Sequence, residues 1–236
     1  MNYYAENNYL SNTKIKDYLT CPKYFSDKWI EKTIEEEKTD ALLIGSAVDC
    51  RLFDGDEEYY KNYVVVSRRN LKEPPKDYLE LNNTQADEIE CLVNSARDAE
   101  AWQDIVKGGY EFQKILKTDF SETAGIFKGY CGKPDAIKID GDHCEIIDLK
   151  TSNTINARQY YWHCVEYGYF RQLAGYELLA QKNYPQIKHF THKHFVIGKG
   201  NPKICKAFII SPREIKKAKE ELKEIIDEIK LLTNFN

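Results

Sequence analysis

The chain has 236 residues, 42% hydrophobic and 31% charged, so it is long enough for a substantial core and too apolar for a disordered segment. Its 34 basic and 38 acidic residues give a net charge of −4, which excludes a globally basic protein but allows a local basic groove. Seven cysteines without regular spacing predict reduced thiols rather than disulfides or a cysteine metal cluster. No apolar run is long enough to span a membrane, so we expect a cytoplasmic protein.

The first predicted element is a short helix between Leu10 and Pro22. Ser11 or Asn12 can cap its exposed amides, and Pro22 marks its end. Its predicted apolar stripe comprises Ile15, Tyr18 and Leu19. The acidic run at 31–37 predicts a solvated face or loop.

Residues 41–53 are almost uniformly apolar, which predicts a buried helix. At helical spacing Asp49 shares its face with Leu42, Gly45, Ser46, Leu52 and Phe53. A carboxylate on such a face is costly unless it is paired, hydrogen-bonded or bound to a metal. Asp49 is therefore a candidate metal ligand, with a buried structural aspartate as the alternative.

A strand is predicted at 63–66, followed by a loop at 67–78 whose composition is rich in basic residues and proline. Arg68 and Arg69 in this loop are candidate phosphate contacts, although an ordinary solvated loop fits the composition equally well.

From Thr84, as its cap, the pattern predicts one amphipathic helix to Val106 that ends at a pair of glycines. Segments 112–117 and 124–130 then predict two strands. Two polar residues beside the first strand could approach a site: Gln113, and Glu111 as a weak ligand candidate.

The most informative stretch predicts a β-hairpin, formed by 132–137 and 145–151 around a turn at 140–142. Side chains alternate along a strand, so Asp148 and Lys150 should lie on one face and the intervening apolar residues on the other. An acid and a lysine therefore share one side of the sheet.

Pairing of this hairpin would bring Asp135 beside Asp148 and Lys150. Carboxylates that share a hard cation such as Mg²⁺ with phosphate oxygens, next to a lysine, suit phosphodiester hydrolysis. The lysine would position the attacking water or neutralise developing charge. An ordinary surface salt bridge is the alternative for Asp148 and Lys150 alone.

Residues 157–181 predict an aromatic-rich helix. Gln172 and Tyr176 are four residues apart and share a face of it, where they can brace a site or pack structurally. Arg158 and Arg171 are further candidate phosphate contacts.

The remaining sequence predicts strands at 190–197 and 204–210 and a closing amphipathic helix at 212–232. His192 and His194 share a strand face, but no cysteine or aspartate at a suitable spacing accompanies them. We therefore do not expect a zinc site there.

Pro134-Asp135 followed after twelve residues by Asp148-Leu149-Lys150 resembles the signature of the PD-(D/E)XK nucleases. The opening helix, the Gly-Ser-Ala-Val-Asp segment and Gln172-x-x-x-Tyr176 also occur in the order of that superfamily. The sequences of these segments are most similar to the branch of exodeoxyribonuclease VIII and the lambda exonuclease-like phage recombination exonucleases. In that branch a histidine commonly stands at the position of Asp49.

The resemblance implies an α/β fold with a restriction-endonuclease-like core, in which helices flank a mixed central β-sheet. We expect one nuclease domain over 1–236, with an N-terminal helical region at 1–40, a catalytic core at 41–210 and a C-terminal helix at 211–236. The implied metal is Mg²⁺, for which Mn²⁺ could substitute. Its implied ligands are Asp49, Asp135, Asp148 and the backbone carbonyl of Leu149, with Lys150, Gln172 and Tyr176 completing the catalytic group.

The implied activity is 5′→3′ exonuclease cleavage of double-stranded DNA in phage-type recombination or repair, in a bacterium or a phage-infected cell. A single-strand annealing protein and a homo-oligomeric ring, trimeric or tetrameric, are the implied partners. Two alternatives stay open: an endonuclease or nicking nuclease with the same site, and a DNA-binding or assembly module whose catalytic group has decayed.

Overall fold

The structure is a computed structural model that describes residues 8–34, 39–66, 78–124 and 126–234. In chain order its elements are β1 (Tyr9–Leu10), α1 (Asn12–Thr20), α2 (Pro22–Phe25), α3 (Asp40–Asp49), α4 (Asp56–Asn62), β2 (Tyr63–Val65), β3 (Leu79–Leu81), α5 (Asn83–Asp98), α6 (Glu100–Lys107), β4 (Glu111–Phe112), β5 (Leu116–Ala124), β6 (Phe127–Gly132), β7 (Ala136–Asp140), β8 (His143–Ser152), α7 (Ala157–Tyr167), α8 (Tyr169–Asn183), β9 (His189–Gly198), β10 (Cys205–Ile209) and α9 (Pro212–Asn234). Helices α2 and α3 continue into π-helical turns at Ser26–Ile30 and Cys50–Asp54.

A mixed five-stranded sheet in the order β10-β9-β8-β7-β4 organises the fold. The predicted hairpin is confirmed: β7 and β8 pair antiparallel around Gly141, whose φ of +60° favours glycine. Helices α7 and α8 connect β8 to β9, and these two strands pair parallel. The predicted strands of the tail are also confirmed, because β9 and β10 form an antiparallel pair.

The two faces of the sheet carry separate hydrophobic clusters. Ile147 and Leu149 of β8 pack with residues of α3, α5 and α6, whereas Cys144 and Ile146 pack with residues of α8 and α9. The alternation along β8 thus places Asp148 on the α8 side, and its position opposite Ile147 and Leu149 is as predicted from its spacing. Helices α8 and α9 pack on the side of the sheet that carries the charged residues of the hairpin.

A second sheet, β1-β6-β5, joins the N-terminal segment to the centre of the molecule, since β1 pairs parallel with β6. Helix α1 is capped by the Ser11 side chain, as predicted. Pro22 follows its last turn and occupies the first turn of α2, a position that suits proline because its missing N–H has no partner there. Leu19 is 46% exposed, so its assignment to the apolar stripe is wrong.

The predicted helix at 84–106 is two helices. Helix α5 is capped by Asn82, not by Thr84, in a reciprocal arrangement with Gln85. It ends before Ala99, whose backbone is extended, and the Gln103 side chain satisfies the carbonyl of Arg97 at 2.7 Å. A side-chain hydrogen bond therefore replaces the helical one at the break.

The predicted helix at 157–181 is also divided. Gly168 adopts the left-handed conformation, φ 70° and ψ 30°, and its amide closes the last turn of α7. The predicted strand at 112–117 is wrong as one element, because Gln113, with φ 52°, turns the chain between β4 and β5.

Helix α3 is not buried all round. Leu42 is 55% exposed and Ser46 is exposed, whereas Ile44, Ala47 and Val48 form the buried face. The face that carries Asp49 is open to a cleft, and this explains why a carboxylate is tolerated on it.

The closing helix α9 is confirmed and extends to Asn234. No helix in the described part of the chain, α9 included, combines the length and apolar character needed to cross a bilayer. Arg68 and Arg69 lie outside the described residues.

Candidate active site

Asp135 lies immediately before β7, and both oxygens of its buried carboxylate accept hydrogen bonds. The Leu149 amide donates to Oδ2 at 2.6 Å, and Gln113 Nε2 donates to Oδ1 at 2.9 Å. The backbone amide of Gln113 also donates to the backbone carbonyl of Asp135 at 3.0 Å. Asp135 is therefore fixed to β8, the strand that carries Asp148 and Lys150.

Asp148 and Lys150 form a buried ion pair on one face of β8, as their spacing predicted. Asp148 is only 1% exposed. The Lys150 ammonium also lies 4.8 Å from the centre of the Tyr169 ring. Burial alone would lower the pKa of Lys150, but the negative charges of Asp148 and Asp135 outweigh it and raise the pKa above its usual range. Lys150 is a cation at neutral pH.

Asp49, the last residue of α3, shares this electrostatic environment. Burial, and then the charge of Asp135, raise the pKa of Asp49 well above its usual range. Burial and the charge of Asp148 raise the pKa of Asp135 to about 7. Burial also raises the pKa of Asp148, against the opposing effect of Lys150. The carboxylates repel one another, and a bound cation would relieve that repulsion.

These residues line one open cleft of about 480 Å³. Its walls are formed by Thr13, Ser46, Asp49, Cys50, Asp54, Asn62, Tyr63, Leu79, Gln113, Lys133, Asp135, Asp148, Leu149, Lys150, Gln172 and Tyr176. The structure therefore brings together the expected ligands Asp49, Asp135, Asp148 and Leu149 with Lys150, Gln172 and Tyr176. A cleft of this size can admit part of a nucleic-acid backbone.

Gln172 and Tyr176 lie one turn apart on α8 and contact each other at the wall of the cleft. Gln172 Nε2 donates to the Tyr176 hydroxyl at 2.8 Å. Gly132 allows β6 to approach this helix closely, since a Cβ there would lie 2.9 Å from the Tyr176 ring. The glycine thus lets α8 pack tightly against the strand that leads to Asp135.

Other polar residues considered from the sequence lie away from the cleft. The Glu111 carboxylate is exposed and paired with Lys114 at 2.7 Å, so it is not placed as a ligand. Arg171 is buried in an ion pair with Glu221 at 2.8 Å, so the prediction that it contacts phosphate is wrong. Arg158 lies in the first turn of α7 and is exposed.

His192 and His194 of β9 are buried in structural positions. His192 Nε2 lies 3.1 Å from Glu177 Oε2. His194 is fully buried beside Asp148 in the β8–β9 register, and burial together with the Lys150 charge holds its pKa well below the usual range. A neutral imidazole in this position adds no further charge behind the cleft.

Among the described residues, no three His, Cys, Asp or Glu side chains are arranged so that they alone could hold a metal ion. The donor set nevertheless fits a Mg²⁺ site of the kind in which one or two carboxylates share the cation with water and substrate phosphate. Asp135 and Asp148 provide adjacent hard oxygen donors, and Asp49 adds a third negative group at the same cleft.

Sequence reasoning missed several residues in or beside the cleft. Tyr169 covers Lys150, Thr13 extends the cleft to α1, and Lys133 adds a cationic side chain beside Asp135. Lys133 had a signal, because it directly precedes the Pro-Asp pair. Thr13 had none, since only the tertiary fold brings α1 to this position.

The described fold resembles solved structures of low sequence identity. A candidate exonuclease from Eubacterium rectale superimposes with a TM-score of 0.68 at 16% identity, over 94% of this chain and 82% of that chain. LHK-Exo, solved in complex with dAMP, gives a TM-score of 0.43 at 10% identity, over 99% of this chain and 93% of that chain. The second similarity is too weak to support the assignment. No curated protein matches the sequence significantly.

The sequence also matches a family profile over residues 11–235, nearly the whole chain. This match and the first structural similarity confirm the predicted PD-(D/E)XK-type α/β fold. The chain thus belongs to the family described as a PDDEXK-like domain of unknown function (DUF3799).

Proposed function

We propose that the protein is a Mg²⁺-dependent deoxyribonuclease that acts as a 5′→3′ exonuclease on double-stranded DNA. The observation that carries the proposal is the convergence of Asp49, Asp135, Asp148 and Lys150 on one cleft. These residues come from three separate segments, and gathering three carboxylates in one cleft would be unfavourable without a cationic ligand. A phosphodiester accompanied by a divalent cation provides a chemical reason for the arrangement.

Asp135 and Asp148 would hold the metal, with Asp49 and the Leu149 carbonyl as the additional proposed ligands. The Leu149 amide and Gln113 orient the Asp135 carboxylate through their hydrogen bonds. Bound Mg²⁺ supplies positive charge next to the phosphate and makes a bound water more acidic.

Lys150 acts as a donor in this scheme. Because its pKa is raised, the ammonium retains its proton and can position the attacking water and stabilise negative charge on the phosphate. The water oxygen forms a bond to phosphorus while the bond to one flanking sugar oxygen breaks. That sugar oxygen takes up a proton, and the proton released by the water passes to solvent.

Gln172 and Tyr176 brace the wall of the cleft through their mutual hydrogen bond. Their side-chain polar groups can contact the phosphate backbone or hold the shape of the catalytic group. This role is a positioning role, separate from the charge chemistry of Lys150.

A role in phage-type recombination or repair, a single-strand annealing partner and a homo-oligomeric ring extend the proposal. They follow from the resemblance of the sequence to recombination exonucleases. The ring would be tested by light scattering of the purified protein.

The function is tested with end-labelled linear duplex DNA and covalently closed circles, in Mg²⁺, in Mn²⁺ and in EDTA. We expect stepwise loss of nucleotides from the 5′ ends of linear DNA, with no cleavage in EDTA. Asp148→Asn or Lys150→Ala should each reduce the rate by at least about a hundredfold. Asp140→Asn, an exposed aspartate at the other end of the same hairpin, is the matched control and should cleave normally.

Cleavage of closed circles would contradict the exonuclease assignment and favour an endonuclease with the same site. Binding of DNA without cleavage under every metal condition would favour the DNA-binding module. Normal cleavage by either active-site variant would contradict the assigned roles.

A further inference from the structure

A row of aromatic rings extends from Lys150 to the protein surface. The Tyr169 ring lies over the Lys150 ammonium, and the Tyr167 ring stacks on Tyr169 with centroids 5.7 Å apart and planes 27° apart. The His163 ring contacts Tyr167 edge-on at 5.9 Å. Tyr167 is 41% exposed, so the row ends in an accessible ring rather than in the core.

The row follows the charged face of β8. Ser152 lies two residues beyond Lys150 and therefore projects to the same face. Its hydroxyl lies 3.4 Å from His163 Nδ1, which places His163 above that part of the strand. The aromatic row and the catalytic residues thus share one side of the sheet.

A cation lies at the exposed end of the row. Lys16 Nζ lies 5.6 Å from the centre of the Tyr167 ring, and the Lys16 side chain is exposed. No carboxylate within the described ranges forms an ion pair with Lys16. Thr13, one turn earlier on α1, lines the active-site cleft. The platform formed by Lys16, Tyr167 and Tyr169 therefore lies beside the cleft, because Tyr169 contacts Lys150, a residue of the cleft wall.

Accessible aromatic faces beside an exposed cation are the groups that bind unpaired nucleotides, because bases stack on the rings while phosphates contact the charge. Bases inside a duplex are already stacked on each other, so a continuous duplex could use the charge of Lys16 but not the face of Tyr167. We propose that this platform binds the unpaired nucleotides that adjoin the scissile phosphate. The proposal rests on the proposed nuclease function and specifies its substrate as DNA with a single-stranded or frayed end.

The binding test uses a dye-labelled duplex with an overhang of about six thymidines, at either end polarity, and the same duplex with blunt ends. Fluorescence anisotropy in EDTA measures affinity without cleavage. Tyr167→Ala should weaken binding of the overhang substrate about tenfold and change binding of the blunt duplex less than about twofold. Tyr167→Phe should bind like the wild type, since it retains the stacking surface.

Trp162→Ala is the matched control, because Trp162 is an aromatic residue of the same helix and is 60% exposed, but its ring contact is with Tyr161 rather than with the row. It should bind both substrates like the wild type. Lys16→Gln should reduce the slope of log affinity against log salt for the overhang by about 0.7 per lost phosphate contact. Equal melting temperatures of the variants would show that the fold is intact.

Equal affinities of Tyr167→Ala and wild type for the overhang would overturn the proposal. So would an equal loss for overhang and blunt duplex, or an unchanged salt slope in Lys16→Gln. Failure of the nuclease function has a different signature, because the wild type would then leave all DNA intact in Mg²⁺ while the overhang preference in EDTA persisted.

Discussion

Replacing Asp135 by asparagine should make the metal-free protein more stable at alkaline pH. Below pH 3.8 the carboxyl group is protonated in the folded and the unfolded chain, so it imposes no electrostatic penalty. As the pH rises from 3.8 to about 7, the unfolded chain releases the proton while the folded chain retains it, because burial and Asp148 raise the folded pKa. The free energy of unfolding therefore falls through this window, and the full penalty remains above it.

The magnitude follows from the pKa difference of about 3, which corresponds to about 4 kcal/mol at about 1.36 kcal/mol for each pKa unit. Asparagine carries no charge throughout this pH range and can keep both hydrogen bonds of Asp135. Its oxygen can accept from the Leu149 amide, and its amide can donate to Gln113 once the Gln113 amide group rotates. Packing at the site should therefore be preserved.

Urea unfolding in EDTA, at about pH 5 and about pH 8, measures the effect. The stability of Asp135→Asn relative to wild type should increase by about 3 kcal/mol between the two conditions. Asp140→Asn, at the exposed last residue of β7, should show no such change. Parallel stability curves of Asp135→Asn and wild type would refute the reasoning, since they would mean that the Asp135 carboxyl does not titrate with a raised pKa.

Three further outcomes are expected. Saturating Mg²⁺ should stabilise the wild type by about 2.7 kcal/mol at a hundred times Kd and so raise its melting temperature. In a thermal-shift assay Asp148→Asn should lose most of this gain. Gln113→Ala removes the side-chain hydrogen bond to Asp135 and should lower Mg²⁺ affinity or cleavage rate by about tenfold to a hundredfold, measured by metal titration of the cleavage rate; an unchanged titration would contradict a positioning role. Gly168→Ala forces a side chain into the left-handed region and should destabilise the protein by about 1–2 kcal/mol. Gly45→Ala, inside α3 with open space around it, should stabilise the protein by about 0.5–1 kcal/mol. Chemical unfolding of both variants checks that the two effects have opposite signs.

Local sequence patterns predict where the central residues of the candidate site lie. The turn around Gly141 and the two-residue period of β8 depend on neighbouring residues alone, so the common face of Asp148 and Lys150 could be inferred directly. Asp49 could be selected because a carboxylate on an otherwise apolar helical segment requires a partner. The partners themselves, Asp135 and Lys150, are supplied by the fold and were inferred from the resemblance as well as from spacing.

The errors occurred where a distant contact or an unusual backbone angle decides the structure. A helical hydrophobic pattern continues across Ala99 and Gly168, yet both positions interrupt the helices. The hydrophobic pattern indicates which face of a helix is buried. It does not show where a side chain replaces a helical hydrogen bond, as Gln103 does at the carbonyl of Arg97. The sequence predicts Gln113 only as a neighbour of the site, because no local signal indicates the positive φ with which its side-chain amide reaches Asp135.

The Leu149 amide is hydrogen-bonded to Asp135, so the site requires β8 to keep its register. An odd and an even number of residues inserted in β8 would therefore have different effects on the site. One residue inserted between this strand's turn and Asp148 would transfer the carboxylate and Lys150 to the opposite face of the sheet, among the apolar side chains that pack on α3. Two inserted residues would restore the face and displace the pair along the strand by about 7 Å. Sequence drift in this family should therefore tolerate length changes in the loop at 140–142 and select against them inside the strand itself.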